Sequence, residues 1–380
     1  MSNTTLILLG AGSSSRFTAN VKKQWLYIDE NPLWLHVAEH FKKSATFEKI
    51  LIVSSSEELC AMQNFTSSYS YVQGGNSRQA SLKNALNHVT SKYVMVSDIA
   101  RCCVPTEMIQ RILDAKEIAS CIVPVLPVTD TLYLDDKPID REKTKIIQTP
   151  QLSNTSLLKK ALQTETLFTD DSSAIASLGE KIHFVEGSTR AHKLTTIEDL
   201  QKVTCLNTPS SRTLTGFGID IHPFEKGKEM FLCGVPIEVD YGFKAHSDGD
   251  VAIHALIDAL LGAAGLGDIG ELYPDTEDIY AGADSKTLLR DTVKRIKAYG
   301  FNIGNIDMTI MAEAPKLLPY KKEMKRTIAD ILEIRQNFVN IKATTAEKLG
   351  FVGRKEGVTV YAVANLTYFN WKTLTTGNNI

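Results

Sequence analysis

Short apolar runs alternate with amphipathic stretches through the first 200 residues of the chain. The apolar runs are LILLGA (6–11), KILIVSS (49–55), YVMVSD (93–98) and CIVPVLPV (121–128). Between them lie NPLWLHVAEHF (31–41) and RQASLKNALNHV (78–89), whose apolar spacing predicts helices. Strands that alternate with helices are typical of an α/β domain with a mostly parallel, Rossmann-like sheet. In such a domain the ligand loops follow the carboxyl ends of the strands.

A different pattern begins after TCLNTPSSRTL (204–214), where Thr, Ser, Asn and Pro interrupt the apolar period. Beyond it we predict a strand at GIDI, a hairpin at MFLCGVPIEV (230–239) and a long helix from about residue 249. Two further helices and three strands follow. This order is typical of an α+β domain. We therefore expect two unlike domains, 1–206 and 213–380, joined by a linker at 207–212.

Length and composition agree with a two-domain globular protein. The chain has 380 residues, of which 43% are hydrophobic and 23% are charged. A formal net charge of -2 offers no electrostatic reason for binding nucleic acid or a membrane surface. No stretch reaches the roughly 18 apolar residues that a membrane span needs. We therefore expect neither a nucleic-acid partner nor a membrane partner.

The six cysteines form no C-x-x-C pair and no framework of regular spacing. Adjacent Cys102 and Cys103 could form a strained vicinal disulfide, but reduced thiols are the prediction. The N-terminal run LILLGA is short and lacks the basic flank of a signal peptide. Together these features predict a cytoplasmic location.

The loop LLGAGSSSRF follows the first strand, and its glycines allow backbone N–H groups to approach an anion. A dinucleotide fingerprint would require glycine where Ser15 stands, and no GK[ST] occurs nearby. What distinguishes the loop is the set of cations after it, Arg16, Lys22 and Lys23. Phosphoryl and nucleotidyl transfer need such cations, and Asp98 at a later strand end could hold Mg²⁺ or orient a substrate. The alternative, a solvated surface with glycine turns, stays open on spacing alone.

The strings GAGSSSR, KKQWL, GGNSRQAS, SDIAR, VTDT, TPQ, FTDDSSA and VEG occur in this order. They resemble the 2-C-methyl-D-erythritol 4-phosphate cytidylyltransferase family over essentially residues 4–203. The resemblance implies that the phosphate of methylerythritol phosphate attacks the α-phosphorus of CTP and releases pyrophosphate, with Mg²⁺ present. Three strings depart from the family's usual ones: Ser14 replaces a glycine, KKQ replaces PKQ, and SDIARCC replaces a DAARP-like string.

The same resemblance implies roles for individual residues of the first domain. Arg16 and Lys23 would stabilise the transition state at the α-phosphate. The cytidine pocket would comprise Ala11, Gly12, Gly75, Asn76 and Ser81. Methylerythritol phosphate would be held by Asp98, Arg101, Thr131, Thr149, Arg141 and Lys193, of which the last two could come from a neighbouring subunit. Two alternatives remain: the acceptor could be a sugar phosphate, or the domain could bind CTP without turnover.

A second set of residues suggests a metal site. In GFGIDIHPF, Asp220 and His222 stand two apart and share one face of a strand. Asp250, His254 and Asp258 follow at four-residue steps on one face of a helix. Two imidazoles and one carboxylate match the ligand set of catalytic zinc. The alternative is that His254 is an ordinary packed residue of the helix.

Two neighbours of this set have two interpretations each, and a third, Asp268, has one. Asp250 could accept the second ring proton of His254, or it could serve the S-x-x-D capping box that Ser247 begins. His246 could contact substrate or pack near the helix start. Asp268 lies in a glycine-flanked segment, where carboxylates are usually solvated.

GFGIDIHPF, GFKAHSDGDVAIHALIDALLGAAGLGDIGELYPDT, IDMTIMAEAPKLLP and IKATTAEKLGFVGRKEG resemble 2-C-methyl-D-erythritol 2,4-cyclodiphosphate synthase over about residues 213–371. This resemblance implies that the 2-phosphate of CDP-methylerythritol 2-phosphate attacks the β-phosphorus and that CMP leaves. Asp220, His222 and His254 would bind a divalent ion, with zinc expected and manganese or cobalt also fitting, and Glu347 would hold Mg²⁺. Substrate contacts would involve Thr344, Thr345, His246, Asp268, Arg354 and the cytosine-binding stretch Ala314, Pro315, Lys316, Leu317 and Leu318.

The two resemblances together predict a bifunctional enzyme of the non-mevalonate isoprenoid pathway. Its two reactions are not consecutive, because a kinase acts between them, and that kinase is a candidate partner. The first half of the chain is expected to form dimers and the second half trimers, and a hexamer would satisfy both symmetries.

Overall fold

The computed structural model describes residues 3–12, 14–245, 247–274 and 282–375. The chain forms two compact units, Met1–Pro209 with Asn370–Ile380 and Ser210–Phe369. The sequence predicts that residues 370–375 belong to the second domain, whereas the structure groups them with the first unit. The physical reason is Trp371, which is fully buried and donates a hydrogen bond from Nε1 to the Tyr27 carbonyl oxygen at 2.7 Å.

The first unit is built on a mixed sheet whose central strands are parallel, as predicted. Its strands, with two short hairpins beside it, are β1 (Thr4–Leu9), β2 (Tyr27–Ile28), β3 (Asn31–Pro32), β4 (Lys49–Ser54), β5 (Ser70–Gln73), β6 (Tyr93–Asp98), β7 (Cys121–Pro127), β8 (Leu132–Leu134), β9 (Lys137–Ile139), β10 (Lys145–Ile147), β11 (Gln151–Asn154) and β12 (Ile182–Glu186). The sheet order is β10-β7-β11-β6-β1-β4-β5, and β12 pairs with β7. Strand β1 lies between β4 and β6 and is parallel to both.

Helices cover this sheet and bury its apolar runs. They are α1 (Leu33–Ser44), α2 (Ser56–Phe65), α3 (Arg78–Leu86), α4 (Thr106–Asp114), α5 (Thr155–Ala161) and α6 (Asp171–Ser177). Every residue of β1 and β6 is buried, because a central parallel strand is covered on both faces. Helix α3 begins where the Ser77 side chain accepts a hydrogen bond from the Ala80 N–H at 3.0 Å. These elements confirm the predicted strands and helices of the first half.

The second unit has a sheet of order β16-β13-β19-β17-β18 and a β14-β15 hairpin. Its elements are β13 (Thr213–Lys226), β14 (Met230–Leu232), β15 (Val235–Ile237), β16 (Tyr241–Phe243), α7 (Val251–Ala264), α8 (Ile269–Leu272), α9 (Ser285–Ala298), β17 (Phe301–Met311), α10 (Lys321–Leu332), β18 (Val339–Thr344), α11 (Gly350–Gly353) and β19 (Gly357–Tyr368). The α+β class is confirmed, and β13 is far longer than the predicted GIDI strand.

Helix α7 approaches strand β13 closely because β13 carries glycine at the points of contact. A Cβ atom at Gly216 would lie 2.0 Å from the Ala259 carbonyl oxygen, and one at Gly218 would lie 2.0 Å from that of Ala255. Both distances are far below van der Waals contact, so only glycine permits this packing. The close approach sets the distance between the β13 and α7 side chains that follow.

The cysteines depart from the prediction of six reduced thiols. A disulfide joins Cys103 and Cys205, whose Cα atoms are 6.0 Å apart and which are separated by 102 residues. No spacing rule relates two cysteines so distant in sequence, so the pair was not predictable. Cys60, Cys102, Cys121 and Cys233 are free, and the vicinal pair is not formed.

Across the described residues, none of the helices combines the length and the apolar character needed to cross a membrane.

We predict that Gly218→Ala lowers the free energy of unfolding of the second unit by about 1–3 kcal/mol, because the added methyl group overpacks the β13–α7 contact. Urea denaturation of the full chain measures this change. Gly262→Ala is the matched control, since no atom lies within 4 Å of a Cβ built there, and within a helix it should stabilise by about 0.5–1 kcal/mol. Equal effects of the two substitutions would contradict the packing argument.

Candidate functional sites

The first unit has a cavity of about 540 Å³ at the carboxyl ends of β1 and β6. Nine of the predicted site residues line it: Ala11, Gly12, Arg16, Lys23, Gly75, Asn76, Ser81, Asp98 and Lys193. They come from five separate stretches of the sequence, which the parallel sheet brings to one edge. With Arg78, which also lines it, the cavity unites a glycine-containing loop, four cations and one carboxylate among the described residues.

The loop before α3 forms the floor of this cavity through close backbone packing. A Cβ atom at Gly75 would lie 2.6 Å from the Ala80 Cβ atom, so a side chain there would collide with the helix. The Gly75 N–H donates to the Ser81 hydroxyl at 3.0 Å, which holds the loop against the first turn of α3. Residues 74–76 consequently leave space above them for a ligand.

The cations of the cavity repel one another and are held by few neutralising groups. Lys23 Nζ donates to the Leu194 carbonyl oxygen at 3.4 Å. Burial lowers the pKa of Lys23, and the positive charges of Lys193 and Arg16 lower it further. A group of this kind binds an anion strongly, because a bound phosphate would supply the missing negative charge.

Among the described residues that line the cavity, Asp98 is the one carboxylate, and cations surround it. Its Oδ2 atom lies 2.8 Å from Lys193 Nζ, and its Oδ1 atom lies 3.7 Å from Arg78 Nε. Burial alone would raise the pKa of Asp98, but Lys193 and Arg78 outweigh it and hold that pKa below its usual value. The carboxylate therefore stays ionised and orients both cations.

A second cavity, of about 460 Å³, adjoins the first and shares Arg78, Asp98 and Lys193 with it. The predicted residues Arg101 and Thr149 line it. Arg101 donates from Nε to the Thr149 hydroxyl at 2.9 Å and from a terminal nitrogen to the Ala191 carbonyl oxygen at 2.6 Å. Two adjoining cavities with shared charges suit a reaction between two anionic substrates.

Thr131 and Arg141 line neither cavity of their own chain. Both are exposed, and Arg141 donates to the Thr129 carbonyl oxygen at 3.1 Å and pairs with Glu142 at 3.5 Å. They lie in or beside the segment that contains β8, β9 and β10, which exposes several apolar side chains. Within a single chain, the structure does not bring these two predicted residues to the site.

Arg78 is a further cation of the site, and Asp171 is its ion-pair partner; the sequence marked Arg78 only as a phosphate-friendly group at a strand end and did not predict the pair. Arg78 lines both cavities and lies 2.9 Å from the Asp171 carboxylate, which is fully buried in the first turn of α6. Burial raises the pKa of Asp171, although the Arg78 charge opposes that rise. The strings GGNSRQAS and FTDDSSA contain both residues, but they are 93 positions apart and nothing in their spacing predicts an ion pair.

In the second unit, Asp220, His222 and His254 meet as predicted. Their candidate ligand atoms all lie within 4.8 Å of one another. Asp220 Oδ2 is 3.2 Å from Nδ1 of His222 and 3.2 Å from Nδ1 of His254. Strand β13 supplies the first two residues and α7 the third, so the close β13–α7 packing creates the cluster.

The polar atoms of this cluster fit a bound cation. Within the described part of the chain, the buried atoms Asp220 Oδ2 and His222 Nδ1 have no hydrogen-bond partner of good geometry. Buried polar atoms without partners are rare and suggest an absent ligand. Burial alone would raise the pKa of Asp220, but the two imidazoles hold it well below its usual range. An ionised carboxylate with two facing imidazole nitrogens is the ligand set of a divalent transition metal.

The second ring nitrogen of His254 has partners that the sequence did not suggest. Its Nε2 atom lies 3.0 Å from the Ser285 hydroxyl and 3.3 Å from that of Ser247. Ser285 donates in turn to the Asp248 carboxylate, so its oxygen accepts from the His254 ring. This arrangement keeps the proton on Nε2 and leaves Nδ1 free to bind a metal.

Asp250 is therefore a cap residue and not the partner of His254. It is fully buried as the N-cap of α7, and its oxygens accept from the backbone N–H groups of Cys233, Gly234 and Ile253. The predicted capping box is wrong in its register, since Asp250 rather than Ser247 occupies the N-cap. His246 lies outside the described residues.

Asp258 and Asp268 each accept a hydrogen bond from a backbone N–H group. Asp258, one turn beyond His254, accepts from the Ile269 N–H at 2.8 Å. Asp268 is exposed and caps α8 through the Glu271 N–H at 2.9 Å. Its exposure leaves the second carboxylate oxygen available to a ligand.

The predicted substrate-binding loops follow β17 and β18: the first contains residues 314–318 and the second contains residues 344–347. They lie side by side because β17 and β18 are parallel neighbours. The Ala312 N–H donates to the Thr344 carbonyl oxygen at 2.9 Å, and the Ala346 N–H to the Glu313 carboxylate at 3.3 Å. In the first loop Leu317 is buried and Leu318 is exposed. In the second, the Thr345 hydroxyl donates to Glu347 at 3.0 Å.

Arg354 directly follows α11. It forms an exposed ion pair with Glu356, with Nε 2.9 Å from the carboxylate.

Comparison with known proteins finds a family match over each of the two units. The family model described as 2-C-methyl-D-erythritol 4-phosphate cytidylyltransferase matches residues 4–206, and the YgbB family model matches residues 213–367. The chain is 72% identical over 372 residues to the bifunctional enzyme IspD/IspF of Sulfurovum sp. (strain NBC37-1), which covers 98% of this chain and 100% of that protein. The bifunctional enzyme IspD/IspF of Aliarcobacter butzleri (strain RM4018) is 51% identical over 372 residues, and this match also covers 98% of this chain and 100% of that protein.

A solved structure extends the comparison to the fold of the whole chain. The bifunctional IspDF from Campylobacter jejuni superimposes with a TM-score of 0.91 at 47% identity, and the match covers 98% of this chain and 100% of that chain.

We predict that Ser285→Ala weakens zinc binding by about 10–100-fold, because the His254 ring loses the acceptor that fixes its tautomer. Competition between the metal-free protein and a chelating dye measures the dissociation constant. Ser247→Ala is the matched control and should change it less, since its oxygen is 3.3 Å from the ring. Unchanged zinc affinity in Ser285→Ala would refute the orienting role.

Proposed function

Because this chain belongs to the bifunctional IspD/IspF enzymes, which combine a cytidylyltransferase with a cyclodiphosphate synthase of the methylerythritol phosphate pathway, we propose that its two described sites perform these two reactions. The prediction of a bifunctional enzyme of isoprenoid biosynthesis is confirmed. The observation that carries the residue assignments is the pair of unlike sites, one rich in cations and one with a metal ligand set.

In the first reaction, we assign the α-phosphate of CTP to Arg16 and Lys23. A phosphate oxygen of methylerythritol 4-phosphate forms a bond to the α-phosphorus, the bond from that phosphorus to the bridging oxygen breaks, and pyrophosphate leaves with the electron pair. Negative charge builds on the oxygens around the reacting phosphorus, and fixed cations stabilise it. The cytidine would lie over the small and polar residues Ala11, Gly12, Gly75, Asn76 and Ser81.

The acceptor is assigned to the second cavity, where Arg101, Thr149 and Lys193 surround the Asp98 carboxylate. Thr131 and Arg141 would reach it from the neighbouring subunit of a dimer. The exposed apolar side chains of their segment support a dimer contact there, since Tyr133 is 67% and Leu134 is 63% exposed. Mg²⁺ would neutralise the triphosphate, and we assign it to the phosphate oxygens because both Asp98 oxygens already face cations.

In the second reaction, we assign the phosphates of CDP-methylerythritol 2-phosphate to the Asp220 cluster and to the loop with Thr344, Thr345 and Glu347. A 2-phosphate oxygen bonds to the β-phosphorus, the bond to the bridging oxygen breaks, and CMP leaves as the cyclic diphosphate closes. A divalent ion, zinc by preference, would supply Lewis-acid charge to the phosphates when bound at Asp220, His222 and His254. Both ends of the reaction belong to one molecule, so the residues act chiefly by positioning.

The remaining contacts of this site are assigned by the family resemblance. Asp268 would bind the ribose hydroxyls, Glu347 would hold Mg²⁺, and the cytosine would bind at 314–318. Arg354 would lie near the trimer axis, and His246 near the substrate.

The β13 face supports a trimer of the second unit. Phe217, Ile219 and Ile221 alternate along one face of that strand and are each 45–60% exposed. An apolar stripe of this kind is typical of a protein–protein contact. Trimers of the second unit and dimers of the first combine in a hexamer with both symmetries. The kinase that acts between the two reactions remains a candidate partner, and a cytoplasmic location remains a prediction.

We predict that Lys23→Ala lowers cytidylyl transfer by about 100–1,000-fold and leaves cyclisation unchanged, because the lost cation acts only in the first site. His254→Ala should abolish cyclisation and leave cytidylyl transfer unchanged. Pyrophosphate release and CMP release from the same preparations measure the two activities. Loss of both activities in either variant would contradict two independent sites.

The lowered pKa of Lys23 predicts how cytidylyl transfer depends on alkaline pH. The cationic form is the active one, so kcat/KM should fall as the pH rises through a pKa below the usual lysine value of 10.5. Lys23→Arg keeps its charge, so this decline should move to higher pH even if the rate at neutral pH is lower. A decline at the same pH in both proteins would show that another group titrates.

A further inference from the structure

Glu58 of helix α2 is a buried carboxylate that lines neither cavity. Its side chain is only 1% exposed, yet it is surrounded by hydrogen-bond donors. Gln24 Nε2 lies 3.0 Å and 3.2 Å from its two oxygens, Trp25 Nε1 donates at 2.7 Å, and the Ser54 and Ser55 hydroxyls donate at 3.0 Å and 2.9 Å. A carboxylate buried without hydrogen-bond donors would strongly destabilise the folded state. The folded structure therefore holds these donors in place around Glu58.

Three of the groups around Glu58 flank the catalytic lysine in sequence. Lys22 lies 3.5 Å from Glu58 Oε1, and Gln24 and Trp25 donate to the same carboxylate. The 3-10 helix Lys23–Trp25 is therefore attached to α2 by the residues on both sides of Lys23. The Lys23 side chain itself does not contact Glu58 and points to the cavity instead.

Gln24 extends this hydrogen-bond network to the loop that contains Ser14 and Arg16. The Ser14 hydroxyl donates to Gln24 Oε1 at 3.2 Å, while the amide nitrogen of the same Gln24 donates to Glu58. Ser14 adopts a φ of 55°, in the left-handed region that favours glycine, and the cytidylyltransferase family usually has glycine here. The serine hydroxyl thus offers a contact that glycine could not, and it joins the loop before Arg16 to the segment of Lys23.

This attachment opposes a repulsion within the site. Lys193 and Arg16 both lower the pKa of Lys23, which means that the three cations repel one another before substrate binds. A flexible segment would relieve the repulsion by moving Lys23 away from the cavity. A network with several hydrogen bonds to one buried carboxylate resists that movement.

We propose that Glu58 is a positioning residue for cytidylyl transfer: it fixes the segment of Lys23 and, through Gln24 and Ser14, the loop of Arg16. This inference rests on the proposed role of Lys23 at the α-phosphate. Glu58 acts through the lysine, so its loss should reduce kcat far more than it changes KM for CTP. The reason is that a cation displaced by about 1 Å loses mainly the charge that develops in the transition state.

The test compares Glu58→Ala with Glu58→Gln in the full chain. We expect Glu58→Ala to lower kcat of pyrophosphate release by about 10–100-fold, with KM for CTP within about threefold. Glu58→Gln should stay within about threefold of the parent, because its carbonyl accepts from Gln24 and Trp25 and the serine hydroxyls can turn to accept from its amide. Cyclisation by the same preparations should be unchanged, which controls for protein concentration and for folding of the second unit.

A double-mutant cycle separates positioning from general stability. If Glu58 acts chiefly through Lys23, then Glu58→Ala should have a much smaller effect in a Lys23→Ala background, where only the loop of Arg16 remains to be displaced. A loss of the same size in both backgrounds, or an equal loss in Glu58→Gln, would overturn the proposal. Full activity of Lys23→Ala alone would instead refute the proposed function of the lysine, so the two failures are distinguishable.

Gln24→Met provides a second variant should Glu58→Ala fold poorly. It keeps the volume of the side chain but removes the bridge between Ser14 and Glu58. We expect about a tenfold loss of kcat with cyclisation unchanged, and a kcat equal to that of the parent would overturn the proposal.

Discussion

Carboxylates that are shielded from water and held between cationic or imidazole groups determine the geometry of this chain's sites. Asp98 in the first unit faces Lys193 and Arg78, and Asp220 in the second faces His222 and His254. Burial would favour protonation of each carboxylate, and in both cases the surrounding cationic or imidazole groups reverse that tendency. Because an uncompensated charge in the interior destabilises the fold, the groups that contact each carboxylate can occupy only a small range of positions. The same positions suit phosphate in one unit and a divalent ion in the other.

The two units reach this result by different architectures. The first unit relies on a parallel sheet, whose strand ends bring loops from distant parts of the sequence to one edge. The second relies on two glycines in β13 that let α7 approach closely enough for one strand and one helix to share a metal ligand set. Since each site draws its residues from its own unit, one chain can carry two reactions that are not consecutive. Chemistry on cytidine-linked phosphates is the common feature of both.

The sequence predicted the parts that depend on local patterns and short motifs. Periodicity located the central strands and the main helices. Spacing suggested that Asp220, His222 and His254 form a metal ligand set, and the family resemblance assigned it. Contacts between side chains far apart in sequence were not predictable, as the Arg78–Asp171 pair, the Cys103–Cys205 disulfide and the return of Trp371 to the first unit show. Asp250 had two interpretations because one-turn spacing fits both a histidine partner and a helix cap, and only the tertiary contacts with Cys233 and Gly234 decide between them.

Anomalous X-ray diffraction at the zinc edge, from crystals of the full chain grown with zinc and soaked with CTP, tests the account most directly. The account predicts an anomalous peak bound by Asp220, His222 and His254 in each chain, together with triphosphate density against Arg16 and Lys23. Zinc bound elsewhere with this cluster empty, or CTP bound away from the two lysine- and arginine-lined cavities, would contradict it.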